Sequence, residues 1–152
     1  MAINDYIIST LNLREDSIES LSVKKTNNIL HISVKLVSTH PSCPCCEGKT
    51  SIKGYSNHTY NHLDIAGTPS VIDWKRRRFI CADCGKTFSE ASPFGPENFH
   101  QTYAVLNTIA LELHKVRNTF KDIADRYHIS PSLVQLYADS FIRAPRLLFR
   151  KI

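Results

Sequence analysis

The chain is predicted to be α+β, with a small β-rich module over residues 1–92 and a helical module over 97–152. Three observations support this. Two Cys-x-x-Cys pairs, Cys43/Cys46 and Cys81/Cys84, bracket a region of short β-like runs. Ala91 to Pro96, with Ser92, Pro93 and Gly95, reads as a linker or tight turn and marks the module boundary. Beyond it, apolar residues recur at three- and four-residue spacings, the period of amphipathic helices.

Within the first 40 residues, Tyr6, Ile7, Leu11, Leu13, Ile18 and Leu21 describe an amphipathic stretch, either a short helix or a loop. Ile29 to Val37 then alternates. His31, Ser33 and Lys35 point one way and Ile32, Val34 and Leu36 the other, as in a half-buried strand, with Asn27-Asn28 as the turn before it. From Thr39 to Pro96 no helical period persists, and Ser70–Trp74 and Arg78–Cys81 read as short β runs. Tyr103, Leu106, Ile109, Ala110 and Leu113 define a first helix of the second module. A second spans Phe120–Tyr127, with Ile123, Ala124 and Tyr127 on one face and Asn118-Thr119 as caps. A third starts at Ser130-Pro131, carries Val134, Tyr137, Ala138 and Phe141 inward, and ends over Arg143–Pro145.

Composition narrows the function classes. Hydrophobic residues make up 42% of the 152 and charged residues 22%, ordinary for a globular protein. No run approaches the ~20 apolar residues of a membrane span, and the start lacks a signal peptide's basic and apolar regions, so a soluble, cytoplasmic protein is expected. The net charge of +5 is uneven, with residues 1–40 summing to zero, 41–92 to +2 and 93–152 to +3. The positive excess sits with the motifs and favours an anionic partner such as nucleic acid.

Five cysteines, an odd number in a reducing compartment, argue for metal rather than disulfides. Each Cys-x-x-Cys pair is followed within two residues by glycine, Gly48 or Gly85, which suits a tight turn whose amides face the sulfurs. Two such turns complete a tetrahedral four-sulfur site, so Cys43, Cys46, Cys81 and Cys84 are the expected ligands of one Zn2+. With no open coordination position the zinc is structural, contributing on the order of 10 kcal/mol or more to folding. Buried cysteines, a redox pair and an iron–sulfur cluster are the other readings. A two-cysteine, two-histidine finger using His58 and His62 is another, but Gly54, Ser56, Asn57 and Asn61 are poor helix material where it needs a helix. Cys45 is then a non-ligand, although Cys43 and Cys45 could exchange roles in a distorted site.

Two stretches are candidate DNA contacts. Lys75, Arg76, Arg77 and Arg78 lead into the second cysteine turn; on a strand only two of the four share a face, and the run suits phosphate contacts or a solvated sheet edge. Phe120 to Val134 has the layout of a helix-turn-helix: Ala124 is small where helices cross, Ile129 lies under the turn, Ser130 caps the next helix, and Val134 packs back. Its second helix would present Ser132, Gln135, Leu136 and Asp139 to a major groove. Gln135 is the best base reader, and Lys121, Arg126 and Arg143 are phosphate contacts. An ordinary helical hairpin is the alternative. No catalytic triad, phosphate-cradling glycine loop or nucleotide fingerprint is present.

The succession Cys43-Pro44-Cys45-Cys46, Lys53-Gly54-Tyr55, Leu63-Asp64, Gly67 to Pro69, Arg76-Arg77-Arg78-Phe79-Ile80-Cys81, Cys84 and Gly85-Lys86-Thr87-Phe88-Ser89-Glu90, followed by a helix-turn-helix, resembles the amino-terminal part of the ISL-three family of insertion-sequence transposases. It covers about Cys43 to Phe141. It implies sequence-specific binding of double-stranded DNA at a transposon's terminal inverted repeats. It also implies that the family's ribonuclease-H-type catalytic domain, with its acidic triad, would begin past Arg143–Ile152, so this chain binds without cleaving. A stand-alone regulator or a protein interaction module is the competing class. Monomer and homodimer are both compatible with the sequence.

Overall fold

In the computed structural model the described residues are 3–143, with side chains through 140. The order is α1 (Ile3–Thr10), a 3-10 turn (Glu15–Ser17), β1 (Ile18–Thr26), β2 (Ile29–Leu36), β3 (Thr50–Ile65), β4 (Thr68–Cys81), β5 (Thr87–Ser89), α2 (Tyr103–Leu113), α3 (Phe120–Tyr127) and α4 (Pro131–Arg143). Among the described residues the fold is α+β, with one mixed sheet and four α-helices.

Two hairpins build the sheet, each closed by two residues in the left-handed region. Asn27 (φ 51°) and Asn28 (φ 60°) join β1 to β2, and Ala66 (φ 50°) and Gly67 (φ 75°) join β3 to β4. Positive φ at both positions gives a turn whose twist matches the flanking strands. The strand order is β1-β2-β4-β3. β2 runs parallel to the first half of β4, from Leu30↔Ser70 to Val34↔Trp74, and β5 continues along the same edge, from Ile80↔Thr87 to Arg78↔Ser89.

Two expectations change here. Ile18 and Leu21, assigned to a helix or loop, lie in β1 and gain their partners Leu36 and Val34 from β2. The short runs Ser70–Trp74 and Arg78–Cys81 are pieces of one 14-residue strand, β4, and the 16-residue β3 beside it matches no predicted run. Polar residues of β3 such as Ser56, Asn57 and Thr59 are exposed, so the alternation of a half-buried strand does not register along it.

One face of the sheet packs on α1 through Ile7, Leu11, Ile32, Val34, Tyr60, Ile72 and Trp74. Phe94, from the Ala91–Pro96 segment, joins this core at 1% exposure and meets the Trp74 ring edge-on at 5.2 Å. A second cluster lies between the last three helices: Val105, Leu106, Ile109 and Ala110 on α2, Ile123 and Ala124 on α3, Val134 and Tyr137 on α4. Leu63 of β3 packs against it. Thr119 caps α3 in a reciprocal box with Asp122, and His128 ends it in the left-handed conformation. Ser130 accepts from Leu133 N–H at the start of α4. The spacing-based boundaries of α2, α3 and the start of α4 match the observed ones, while the Phe141 side chain and residues 144–152 lie outside the described residues.

His62 ties these parts together. Its Nε2 is 3.0 Å from Thr10 Oγ1 and its Nδ1 2.9 Å from Thr102 Oγ1, the N-cap of α2. Thr10 gives its hydroxyl hydrogen to Ile7 O, so the ring donates from Nε2 and accepts at Nδ1. The imidazole is neutral, and burial pushes its pKa down to about 4. An unfolded His titrates near ~6.5, so the unfolded chain binds the extra proton between that pH and about 4. Stability is therefore full above pH 6.5 and should fall by roughly 3 kcal/mol as pH drops through this window. Urea unfolding at pH 7 and pH 4.5 should show this loss in the wild type and a smaller one in His62→Gln; equal losses would refute the role of His62.

Candidate metal centre and nucleic-acid interface

Two turns of the same construction hold the cysteines. In the first, Cys43 N–H donates to Gly48 O and Glu47 N–H to Cys43 O; in the second, Cys81 N–H donates to Lys86 O and Gly85 N–H to Cys81 O. The fourth residue after each leading cysteine has positive φ, 57° at Glu47 and 71° at Gly85. Gly48 is therefore not the left-handed residue of its turn. A Cβ there would displace the Asp83 carboxylate, the tip of an exposed side chain, and lie 3.2 Å from Cys46 Sγ. The turns are brought together by the hairpin pair Thr50↔Cys81 and by Ala82 N–H donating to Lys49 O.

The four sulfurs of Cys43, Cys46, Cys81 and Cys84 lie within 4.8 Å of one another, with Cys43–Cys84 at 3.6 Å and Cys46–Cys81 at 3.4 Å. Tetrahedral coordination at ~2.3 Å per Zn–S bond separates sulfurs by ~3.8 Å, so the cluster has the size of a four-thiolate zinc site. Electrostatics also call for a cation. Amides of Cys46 and Cys45 draw the Cys43 thiol down to about 6. Cys46 receives the Gly48 N–H, yet its sulfur contacts with Cys81 and Cys84 push it up to about 12. Four thiols this close do not all ionise until a positive ion offsets their repulsion. The donor set fits one structural zinc ion, with no residue positioned as a fifth ligand among the described residues.

Cys45 is exposed and turned outward, with Lys86 Nζ 2.9 Å from its sulfur. The histidine alternative fails on distance: His58 pairs with Trp74, eight residues up β3 from Thr50, which is ~26 Å at strand rise. His62 lies farther still and is already bonded to two threonines.

The arginine run is divided by the strand. Lys75 and Arg77 share one face of β4, and Arg76 and Arg78 the other. On the side away from β3, β2 pairs with β4 only as far as Trp74 and β5 begins at Arg78, so Lys75, Arg76 and Arg77 fall between these two partners, with Arg77 O accepting from Glu90 N–H. Arg77 is 5% exposed. Its guanidinium donates to Leu36 O, Val37 O and Glu90, so it joins the end of β2, β4 and the residue that follows β5 rather than facing solvent. This corrects its assignment as a phosphate contact. Arg76 is largely covered, bonded to Glu90 O and Glu97 and lying 5.9 Å over the Trp74 ring. Lys75 and Arg78 are exposed.

On the helices, Ser132, Gln135, Leu136 and Asp139 form the exposed face of α4. Lys121 is exposed on α3, and Arg126 is ion-paired with Glu112 of α2. The Arg143 side chain lies outside the described residues. Spacing alone did not reveal the His128–Asp64 contact (3.3 Å), which links the α3–α4 turn to β3.

Cys81→Ser should lose the zinc and unfold the sheet end, because metal binding and folding are coupled. Cys45→Ser should retain one zinc per chain by elemental analysis; a metal-free Cys45→Ser with a zinc-loaded Cys43→Ser would reverse the ligand assignment. Arg77→Ala leaves Glu90 without its buried partner and should cost about 3–5 kcal/mol in chemical denaturation. Exposed Arg78→Ala should stay within ~0.5 kcal/mol of wild type.

No curated protein and no solved structure gives a significant match to this chain. Among the described residues no helix is long and apolar enough to cross a membrane. Residues 39–84, which contain all four clustered cysteines and the whole β3–β4 hairpin, match the family model of the zinc-finger of transposase IS204/IS1001/IS1096/IS1165.

Proposed function

We propose that the chain is the DNA-recognition part of a transposase, that its target is the terminal inverted repeats of the element, and that α3, the turn at His128–Ser130 and α4 act as a helix-turn-helix. The match of residues 39–84 to a transposase zinc-finger carries this reading. The role of the zinc in it is architectural: it closes one end of the sheet, and contact with bases falls to the helices. A zinc-binding module over 1–92 and a DNA-binding module over 97–152 are the corresponding division of labour.

In this reading α4 enters the major groove. The Gln135 amide bonds an adenine edge, Ser132 lies one turn before it, and Leu136, 57% exposed, meets a thymine methyl. Lys121 neutralises a phosphate, and the exposed Lys75 and Arg78 are candidates for the same role on the sheet. The second reading, a protein interaction module, is favoured by apolar side chains left in solvent around the helices: Leu111 at 61%, Val116 at 102% and Phe120 at 41% exposure.

Duplex binding titrated against salt separates the two. Each neutralised phosphate lowers the log–log slope by ~0.9, so DNA recognition requires a steep dependence, and a flat one would leave the interaction module standing. Gln135→Ala should weaken binding to the preferred site by about 1–3 kcal/mol and relax sequence preference. Lys121→Ala should weaken cognate and random duplexes equally and lower the slope by roughly one. Equal effects of Gln135→Ala on both duplexes, with folding intact, would remove base reading from α4.

A further inference from the structure

The face of the sheet turned away from α1 is open, and its side chains follow the strand register. Ser22 pairs with Ser33, Ser33 with Asp73, and Asp73 with Thr59, giving one polar row across all four long strands. In the next row Ser20 pairs with Lys35 and Lys75 with Asn57, while Lys35 and Lys75 each follow the Val34–Trp74 pair by one residue. Both lysines line a groove of about 600 Å3, with Tyr55, 63% exposed, at its end.

The β2–β4 ladder ends at Val34↔Trp74, and Lys35 and Lys75 follow that last pair on the same face of neighbouring strands, where two like charges repel and an anion is favoured. Lys35 has Glu19 at 3.1 Å, an exposed pair of little strength. Lys75 has no carboxylate partner among the described residues. Asp73, the acid in the groove, is already engaged: Oδ2 faces His31 Nδ1 at 3.0 Å and Oδ1 accepts from Thr59 Oγ1 at 3.2 Å. Two ammonium groups surrounded by hydroxyls and an amide are the donor set that contacts phosphate oxygens and sugars. Lys and Ser are depleted in protein–protein interfaces, which disfavours a protein occupant.

From these observations we infer that this sheet face is a second DNA-contact surface, in which Lys35 and Lys75 hold the sugar–phosphate backbone of one strand and Tyr55 closes the end of the groove. The inference rests on the proposed reading that the chain binds DNA through α4. Along β3, seven residues separate Asn57 in the groove from Asp64, which touches His128 of the α3–α4 turn. That is ~23 Å at strand rise, less than one ~34 Å turn of duplex. The groove would give affinity and register without sequence information, because it meets backbone and not bases.

The test uses the full zinc-loaded chain and duplexes carrying the preferred site with at least one extra helical turn on each side. Lys35→Ala/Lys75→Ala should lower the salt slope by about two and weaken binding by about eightfold per lost contact at 0.1 M salt, with sequence preference unchanged. Lys25→Ala, an exposed lysine outside the groove, should do less than either, and Lys35→Arg/Lys75→Arg should keep the wild-type slope. A photo-crosslinker in place of Tyr55 should label the oligonucleotide. If the wild type binds DNA with a steep slope and the double alanine variant matches it, the groove is refuted and the helix-turn-helix reading stands. A wild type that binds no DNA overturns both. Crosslinks from position 55 to protein, or to a second copy of the chain, would give the groove to that occupant instead.

Discussion

Backbone pairing along Thr68–Cys81 is the constraint on which the rest of the structure depends. One edge of this strand is bonded to β3 over nearly its whole length, and the other is shared in series by β2 and β5. A strand paired on both edges cannot slip by one residue without turning its buried side chains to the opposite face. Its register therefore fixes two distant things together. Cys81 lies at one end, opposite Thr50 and beside the first cysteine turn, and Ser70 at the other, opposite His62 and close to the helices.

The zinc site is economical because most of it is local. Each turn makes the same two backbone hydrogen bonds, and each aims amides at its sulfurs. What the hairpin adds is the approach of one turn to the other. The apolar surface at this end centres on Phe79, fully buried and with its ring 5.5 Å from that of Phe88, while the main sheet core of Ile7, Ile32, Ile72, Trp74 and Phe94 lies farther along the strands. Four thiolates around one cation add their cohesion to this small local cluster.

Charge is sorted by burial rather than by sequence position. Of four consecutive basic residues, Arg77 is enclosed and bonded to two carbonyls and a carboxylate, Arg76 lies along Trp74, and only Lys75 and Arg78 face solvent. A buried guanidinium is tolerable because its planar fork reaches several acceptors at once. The proposed division of DNA contacts follows the same logic, with the polar face of α4 for bases and the open sheet face for backbone.

The sequence by itself determined those features whose physics is short-range. Cysteine spacing named the four ligands, because two thiolates three residues apart can face one ion from a single turn, and left open only an exchange of Cys43 with Cys45; the fold groups the sulfur of Cys43, not Cys45, with the other three. Cap chemistry at Thr119 and Ser130 and the three- to four-residue apolar spacing set the helices, since both act within one or two turns. The tertiary structure alone decided the rest. β1 was ambiguous because Ile18 and Leu21 show a strand's pattern only against β2, and the long hairpin was hidden because its exposed residues are polar on both faces over much of β3. The burial of Arg77 and the tautomer of His62 depend on partners 41 and 52 residues away, and Lys35 and Lys75 come to one face only because β2 and β4 pair as far as Val34↔Trp74. Sequence periodicity carries no information about such contacts, because they are set by which strands pair and in what register.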